Sequence, residues 1–125
     1  IGGALGSVAR YGIGDLVSQK FGETFPWGTF VDNETGSIVI GFLGALTGAE
    51  GRMSPETRVF ATQLFMTGVC GGYTTFSSFS FQTLNLLRNG QWLYAGGNVL
   101  FSVLFCMIGV WLGYLAGNTF NSMKT

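Results

Sequence analysis

Between Gly71 and Ser80 the chain reads G-G-Y-T-T-F-S-S-F-S, which sets five hydroxyls, Thr74, Thr75, Ser77, Ser78 and Ser80, around two phenylalanines three apart, Phe76 and Phe79. Hydroxyls donate hydrogen bonds without a formal charge, and an aromatic ring has a positive edge. Together they can replace the hydration of a small, poorly polarisable anion without trapping it as a lysine or arginine would. Ordinary packing accounts for the same spacing, because residues at i and i+3 share a helix face and the chain holds 12 phenylalanines. Both readings stand on spacing alone. The adjacent Gly71 and Gly72 favour local opening of the backbone, so a break is expected over Gly71 to Thr75, with carbonyls left free. Within a bilayer such backbone persists only when buried in protein or lining a polar cavity.

Other chemistries find little to work with. The sequence has no histidine, which excludes histidine-based triads, metal sites and proton shuttles. Cys70 and Cys106 lack C-x-x-C spacing and fall in apolar stretches, as buried free thiols do. Asp32 and Glu34 are two residues apart and so point to different faces of a helix, which does not make a catalytic pair. No lysine follows Gly71-Gly72 at the spacing of a phosphate loop. An enzyme is not expected.

The elements that must position these residues read as membrane helices. Of 125 residues, 47% are hydrophobic and 10% charged, against roughly a quarter charged in a typical soluble domain. The 21 glycines along apolar segments read as close helix contacts in lipid. We place four spans in a single domain, residues 1–125, at about 1–18, 28–48, 55–87 with the break at 71–75, and 92–117, using the roughly 20 residues that a helix needs to cross hydrocarbon. The first span is short and begins without methionine, so missing N-terminal residues are expected. No signal peptide is expected. Ser54-Pro55-Glu56 reads as the start of the third span, and Arg88-Asn89-Gly90 as its end.

Small and polar residues form stripes. Asn33, Ser37, Gly41, Gly44 and Gly48 recur every three or four residues on the second span, and Asn98, Ser102, Cys106, Gly109, Gly113 and Gly117 do so on the fourth. The glycines predict close backbone approach, whereas Asn33, Asn98 and Ser102 must be interhelical hydrogen-bonding groups or part of a wet path. Four spans put Arg52, Arg58 and Lys124 on one side and Lys20 and Arg88 on the other, with Arg10 inside the first span. Such a small bias gives the positive-inside rule little to act on, so insertion in both orientations and an antiparallel twofold dimer are expected.

The decapeptide, together with G-T-F-V-D-N-E-T-G-S around Asn33 and the early G-G-A-L-G-S-V-A-R-Y, resembles the Fluc (CrcB) family of small fluoride channels over nearly the whole chain. The resemblance implies an all-α membrane protein, a dual-topology antiparallel homodimer with two pores, and passive export of fluoride. It implies that Phe76 and Phe79 face the pores, joined by Asn33, Ser102 and Thr75, with Arg10 in the vestibule. It also implies a structural sodium ion at the dimer centre, held by the backbone carbonyls of Gly71 and Thr74. The partners implied are fluoride, a second copy and the bilayer, with no nucleic acid, and the location is a prokaryotic plasma membrane, the inner membrane in a Gram-negative cell. Several residues depart from the family pattern: Asp32 and Glu34 flank Asn33 where the family is usually uncharged, Gln82 stands for an acid, and Asn98 and Cys106 stand where hydroxyls are common.

Two other readings need weighing. A small multidrug antiporter would use Asp15, Asp32 or Glu34 to exchange protons for a cationic drug, and leaves the Thr74–Phe79 motif without a role. A non-transporting assembly subunit would use the glycine stripes only to join helices.

Overall fold

A computed structural model describes residues 1–22, 25–48 and 54–123. These residues are helical almost throughout, and no strand occurs among them. α1 spans Gly2–Phe21 and α2 Trp27–Thr47; α3 (Pro55–Ala61) runs without interruption into a π-helix (Thr62–Cys70) and a single turn, α4 (Gly71–Tyr73). After two extended residues the chain resumes as α5 (Phe76–Arg88) and closes with α6 (Trp92–Met123). The four expected segments are present, with α6 extending further than the sequence pattern indicates. Arg52 and Lys124, used above in weighing the two sides, lie outside the described residues.

The boundaries have local causes. Ser54 caps α3 by accepting from the Thr57 N–H at 3.3 Å, with Pro55 supplying the preset φ of a first helical position. Gly90, at φ +77°, takes the left-handed conformation that ends the α5 arm.

α2 lies along α6, and α1 packs against the π-helix, α4 and α2. Glycine makes both contacts possible. A side chain at Gly41 would strike the Val110 carbonyl, and one at Gly113 the Ile38 carbonyl; on the other contact, Gly6 lies against the Val69 carbonyl and Gly72 against that of Gly3. Gly44 and Gly48 behave differently from the expectation of close approach. The nearest atom to a Gly44 side chain would be the Met66 methyl at 3.9 Å, and Gly48 faces only carbonyls of its own helix. Gly44 thus looks toward the π-helix.

Polar residues are buried beside apolar ones such as Phe79 and Leu86, and the outer surface is rich in large apolar side chains. Asp32, Thr47, Asn98 and Ser102 are buried, whereas Leu93, Leu100, Met107 and Trp111 are exposed. Residues Trp92–Ser122 of α6 are long and apolar enough to cross a bilayer, the most apolar 18-residue stretch within them having a mean hydropathy of 2.2.

Candidate functional site

The helix breaks at Thr74 and Thr75, whose backbones are extended (ψ 158° and 121°). Gly71 is helical at φ −62°, ψ −38°, and the glycine pair belongs to the helical arm. The break thus falls within the expected 71–75 and is confined to its last two residues, the glycine pair itself staying helical. Gly72 is needed instead for its approach to the Gly3 carbonyl. The extended pair is held from outside by Asn33 on α2, whose Oδ1 accepts from the Thr75 N–H at 2.7 Å and whose Nδ2 donates to the Thr75 carbonyl at 3.1 Å. A carboxamide matches a peptide group in donor and acceptor geometry, so one side chain satisfies both backbone groups of an extended residue. Thr75 then caps α5, its Oγ1 accepting from the Ser78 N–H at 3.2 Å.

These bonds divert the donors that would continue the helix. The Thr75 N–H, due to the Gly71 carbonyl in an unbroken helix, goes to Asn33, and the Ser78 N–H, due to Thr74, goes to the Thr75 hydroxyl. The break releases the carbonyls of Gly71, Gly72, Tyr73 and Thr74 from their helical donors, and that of Gly72 accepts from Arg10 Nε instead. The Thr74 hydroxyl bonds back to the Cys70 carbonyl at 3.0 Å. Neutral carbonyl oxygens suit a hard monovalent cation, and this is the chemistry available here.

Below the break lies a cavity of about 290 Å³ bounded by Asn33, Thr75, Phe76, Phe79 and Ser102, together with Ser37, Ile40, Thr74, Val103 and Cys106. All five residues placed in the pore from the sequence thus line one space, drawn from α2, the break, α5 and α6. The Phe76 and Phe79 ring centroids are 5.6 Å apart with planes inclined at 44°. Phe79 is 9% exposed and Phe76 78%, so one ring is fixed by this chain and the other projects from it.

Ser102 is secured by a directed chain of hydrogen bonds. Its Oγ donates to Asn98 Oδ1 at 3.2 Å, Asn98 Nδ2 donates to Thr83 Oγ1 at 2.9 Å, and Thr83 Oγ1 donates to the Phe79 carbonyl at 2.8 Å. Asn98, 1% exposed, thereby ties α6 to α5 beside the rings. Thr83 escaped the sequence reading, although its position one turn after Phe79 is the available signal. Tyr73, whose hydroxyl lies 2.7 Å from Thr35 Oγ1, escaped it too.

Arg10 stands apart from the rings. It lines a second and larger cavity of about 750 Å³, walled by α1, α2 and α5, and its Nε donates to the Gly72 carbonyl at 3.1 Å. Asp32 borders this cavity, buried at 3% exposure, under the influence of Arg10 and the Tyr73 hydroxyl. Glu34 turns the other way, toward Gly109 and Ile38, as two residues apart on a helix require. Cys70 and Cys106 are free thiols.

A bundle of helices with one arm broken beside a neutral cavity of hydroxyl, amide and ring edges is the architecture of a conduit for a small solute. The chain belongs to the CrcB family: residues 1–114 match the family model described as CrcB-like protein, Camphor Resistance. A protein of Opitutus terrae is 57% identical, the match covering 99% of this chain and 92% of that one. A protein of Rhodospirillum rubrum is 54% identical over 96% of this chain and 92% of its own length, and one of Methylocella silvestris 51% over 99% and 93%. Each of the three is named fluoride-specific ion channel FluC.

Proposed function

We propose that the chain is the subunit of a passive, fluoride-selective channel. The observation carrying this reading is the 290 Å³ cavity in which Asn33, Thr75, Phe76, Phe79 and Ser102 converge without a formal charge among them, in a chain 57% identical to a protein named for fluoride conduction. Fluoride leaving the Arg10 vestibule exchanges water for hydroxyl and amide hydrogens and then for the positive edges of the Phe76 and Phe79 rings. The remaining Nδ2 hydrogen of Asn33 is one such donor, its partner hydrogen being engaged by Thr75. With no fixed cation at this point, the ion is held weakly enough to leave.

The working form is an antiparallel homodimer of multi-pass, dual-topology subunits with two pores, in a prokaryotic plasma membrane. Phe76 supports it, since a ring 78% exposed on one chain needs a second wall to confine an ion. A sodium ion fits the break, and the Gly71 and Thr74 carbonyls of the two copies would hold it. When bound it supplies fixed positive charge that draws the two breaks together. Neither the antiporter nor the assembly subunit accounts for the cavity or for the relatives' names.

The physiology follows from weak-acid chemistry. Hydrogen fluoride crosses membranes neutral and ionises in the cytoplasm, and an inside-negative potential worth about 2.3 kcal/mol per charge per 100 mV drives the anion out through a channel. The test is fluoride efflux from liposomes carrying the purified protein.

A further inference from the structure

We propose that Asp32 limits fluoride flux by cancelling the positive charge that Arg10 presents to the vestibule. The inference rests on the channel reading above. Asp32 and Arg10 border the same 750 Å³ cavity, and Asp15 is the third charged residue on its wall. Counted as ionised, the described wall carries one positive and two negative charges, so this approach to the neutral track is net negative. Loss of the Asp32 charge alone brings that sum to zero. Among the described residues no other charged side chain lines this cavity, and its α5 wall contributes the neutral Gln82 and Asn85.

The setting of Asp32 makes its charge effective. The residue is 3% exposed, so little water screens it. Its Oδ1 is buried without a hydrogen-bond partner, and a side chain at Gly14 would come within 2.9 Å of its Oδ2, so α1 presses directly upon the carboxylate. Arg10 is attached to Gly72 through Nε, and the Tyr73 hydroxyl is the other group acting on Asp32. Asp32 therefore acts on the ion from the wall of its approach, one residue before the Asn33 latch and outside the ring cavity. A packing role would have been served better by an apolar residue, because a buried carboxylate oxygen left unpaired is costly.

Efflux of fluoride from proteoliposomes, measured for the parent chain, Asp32→Asn, Asp32→Glu, Arg10→Gln and the Asp32→Asn/Arg10→Gln double variant, tests this. Asparagine keeps the size of the side chain and removes its charge. At low salt and low fluoride, Asp32→Asn should conduct about tenfold faster than the parent, the size expected of a steering effect. Asp32→Glu should not, and the gap should narrow as salt rises. Arg10→Gln should slow conduction, and adding Asp32→Asn to it should restore flux toward the parent rate. If Asp32→Asn conducts no faster than the parent, or if the double variant is no better than Arg10→Gln, the proposal is overturned and Asp32 is structural. If Asp32→Asn does not assemble, Asp32→Ala, which also removes the charge, takes its place, and flux no faster than the parent then overturns the proposal. An inactive parent sinks the channel reading itself, whereas an active parent without these differences sinks only the role of Asp32.

Discussion

Asn33 and Thr75, 42 residues apart in sequence, close a ring of two hydrogen bonds in which the side-chain amide takes the place of a neighbouring strand, at 2.7 and 3.1 Å. The bend in the third arm is thus imposed by α2. This relationship gives Asn33 a stronger structural role than its place on a polar stripe conveys, since the same residue opens the helix and lines the cavity that the opening creates.

Asn33→Ala should therefore weaken both folding and conduction. It leaves the Thr75 N–H and carbonyl without their partner, a cost of about 1–3 kcal/mol. The thermal midpoint of the purified protein should fall and fluoride flux should drop by at least about tenfold, each tenfold corresponding to about 1.4 kcal/mol. Normal flux from a normally stable Asn33→Ala protein would show that the latch is dispensable.

Phe76→Leu and Phe79→Leu should each preserve assembly and reduce flux, because leucine keeps apolar volume and lacks a polarised ring edge. The two should differ in stability. Phe79 is buried and the smaller leucine leaves part of its site empty, destabilising the fold by about 1 kcal/mol, whereas Phe76 is 78% exposed on its own subunit and its replacement should leave the fold of one chain unchanged. Size-exclusion profiles, melting curves and efflux rates separate these effects. Unchanged flux in both variants would leave packing as the only role of the rings.

Exchange of sodium for a bulky organic cation should lower the melting temperature of the dimer. A ligand present at 100 times its dissociation constant stabilises by about 2.7 kcal/mol, and only the assembled pair of breaks offers the complete set of carbonyls. The loss should be reversed by sodium and not by the organic cation. Indifference of both melting and dimer content to the cation would remove sodium from the account.

Tags placed between α1 and α2, beside Lys20, and between α2 and α3, beside Arg52, should both be reachable from outside in one population of cells. Extra lysines in one loop should bias insertion and deplete active dimer. Every copy facing one way would end the antiparallel arrangement while leaving the helices as described.

The family resemblance carried most of this site. Spacing alone left Phe76 and Phe79 between packing and an anion path, and Asn33 and Ser102 between interhelical hydrogen bonding and a wet path. The cap at Ser54 and stop at Gly90, by contrast, marked the third arm directly. The break lay within the expected 71–75, but which of those residues open was not legible, because glycine permits both helix and opening and the decision is made by a distant partner: Asn33 takes the Thr75 amide, and Gly72 stays helical against α1. The helix partners were half legible for a related reason. Gly41 and Gly113 meet the facing backbone, whereas Gly44, spaced as if it should, faces Met66, and only the placement of the π-helix determines that. Asp32 and Glu34 were readable as opposite-facing acids, but the cavity that makes Asp32 matter is assembled from α1, α2 and α5 and exists only in three dimensions.

The most direct measurement is fluoride efflux from potassium-loaded proteoliposomes, with a fluoride electrode outside and valinomycin as the trigger. The account predicts rapid efflux only when valinomycin lets potassium leave with the anion, at equal pH on the two sides, with chloride retained under the same conditions. Efflux that requires a proton gradient, or liposomes that hold their fluoride after valinomycin with correctly assembled protein present, would contradict it.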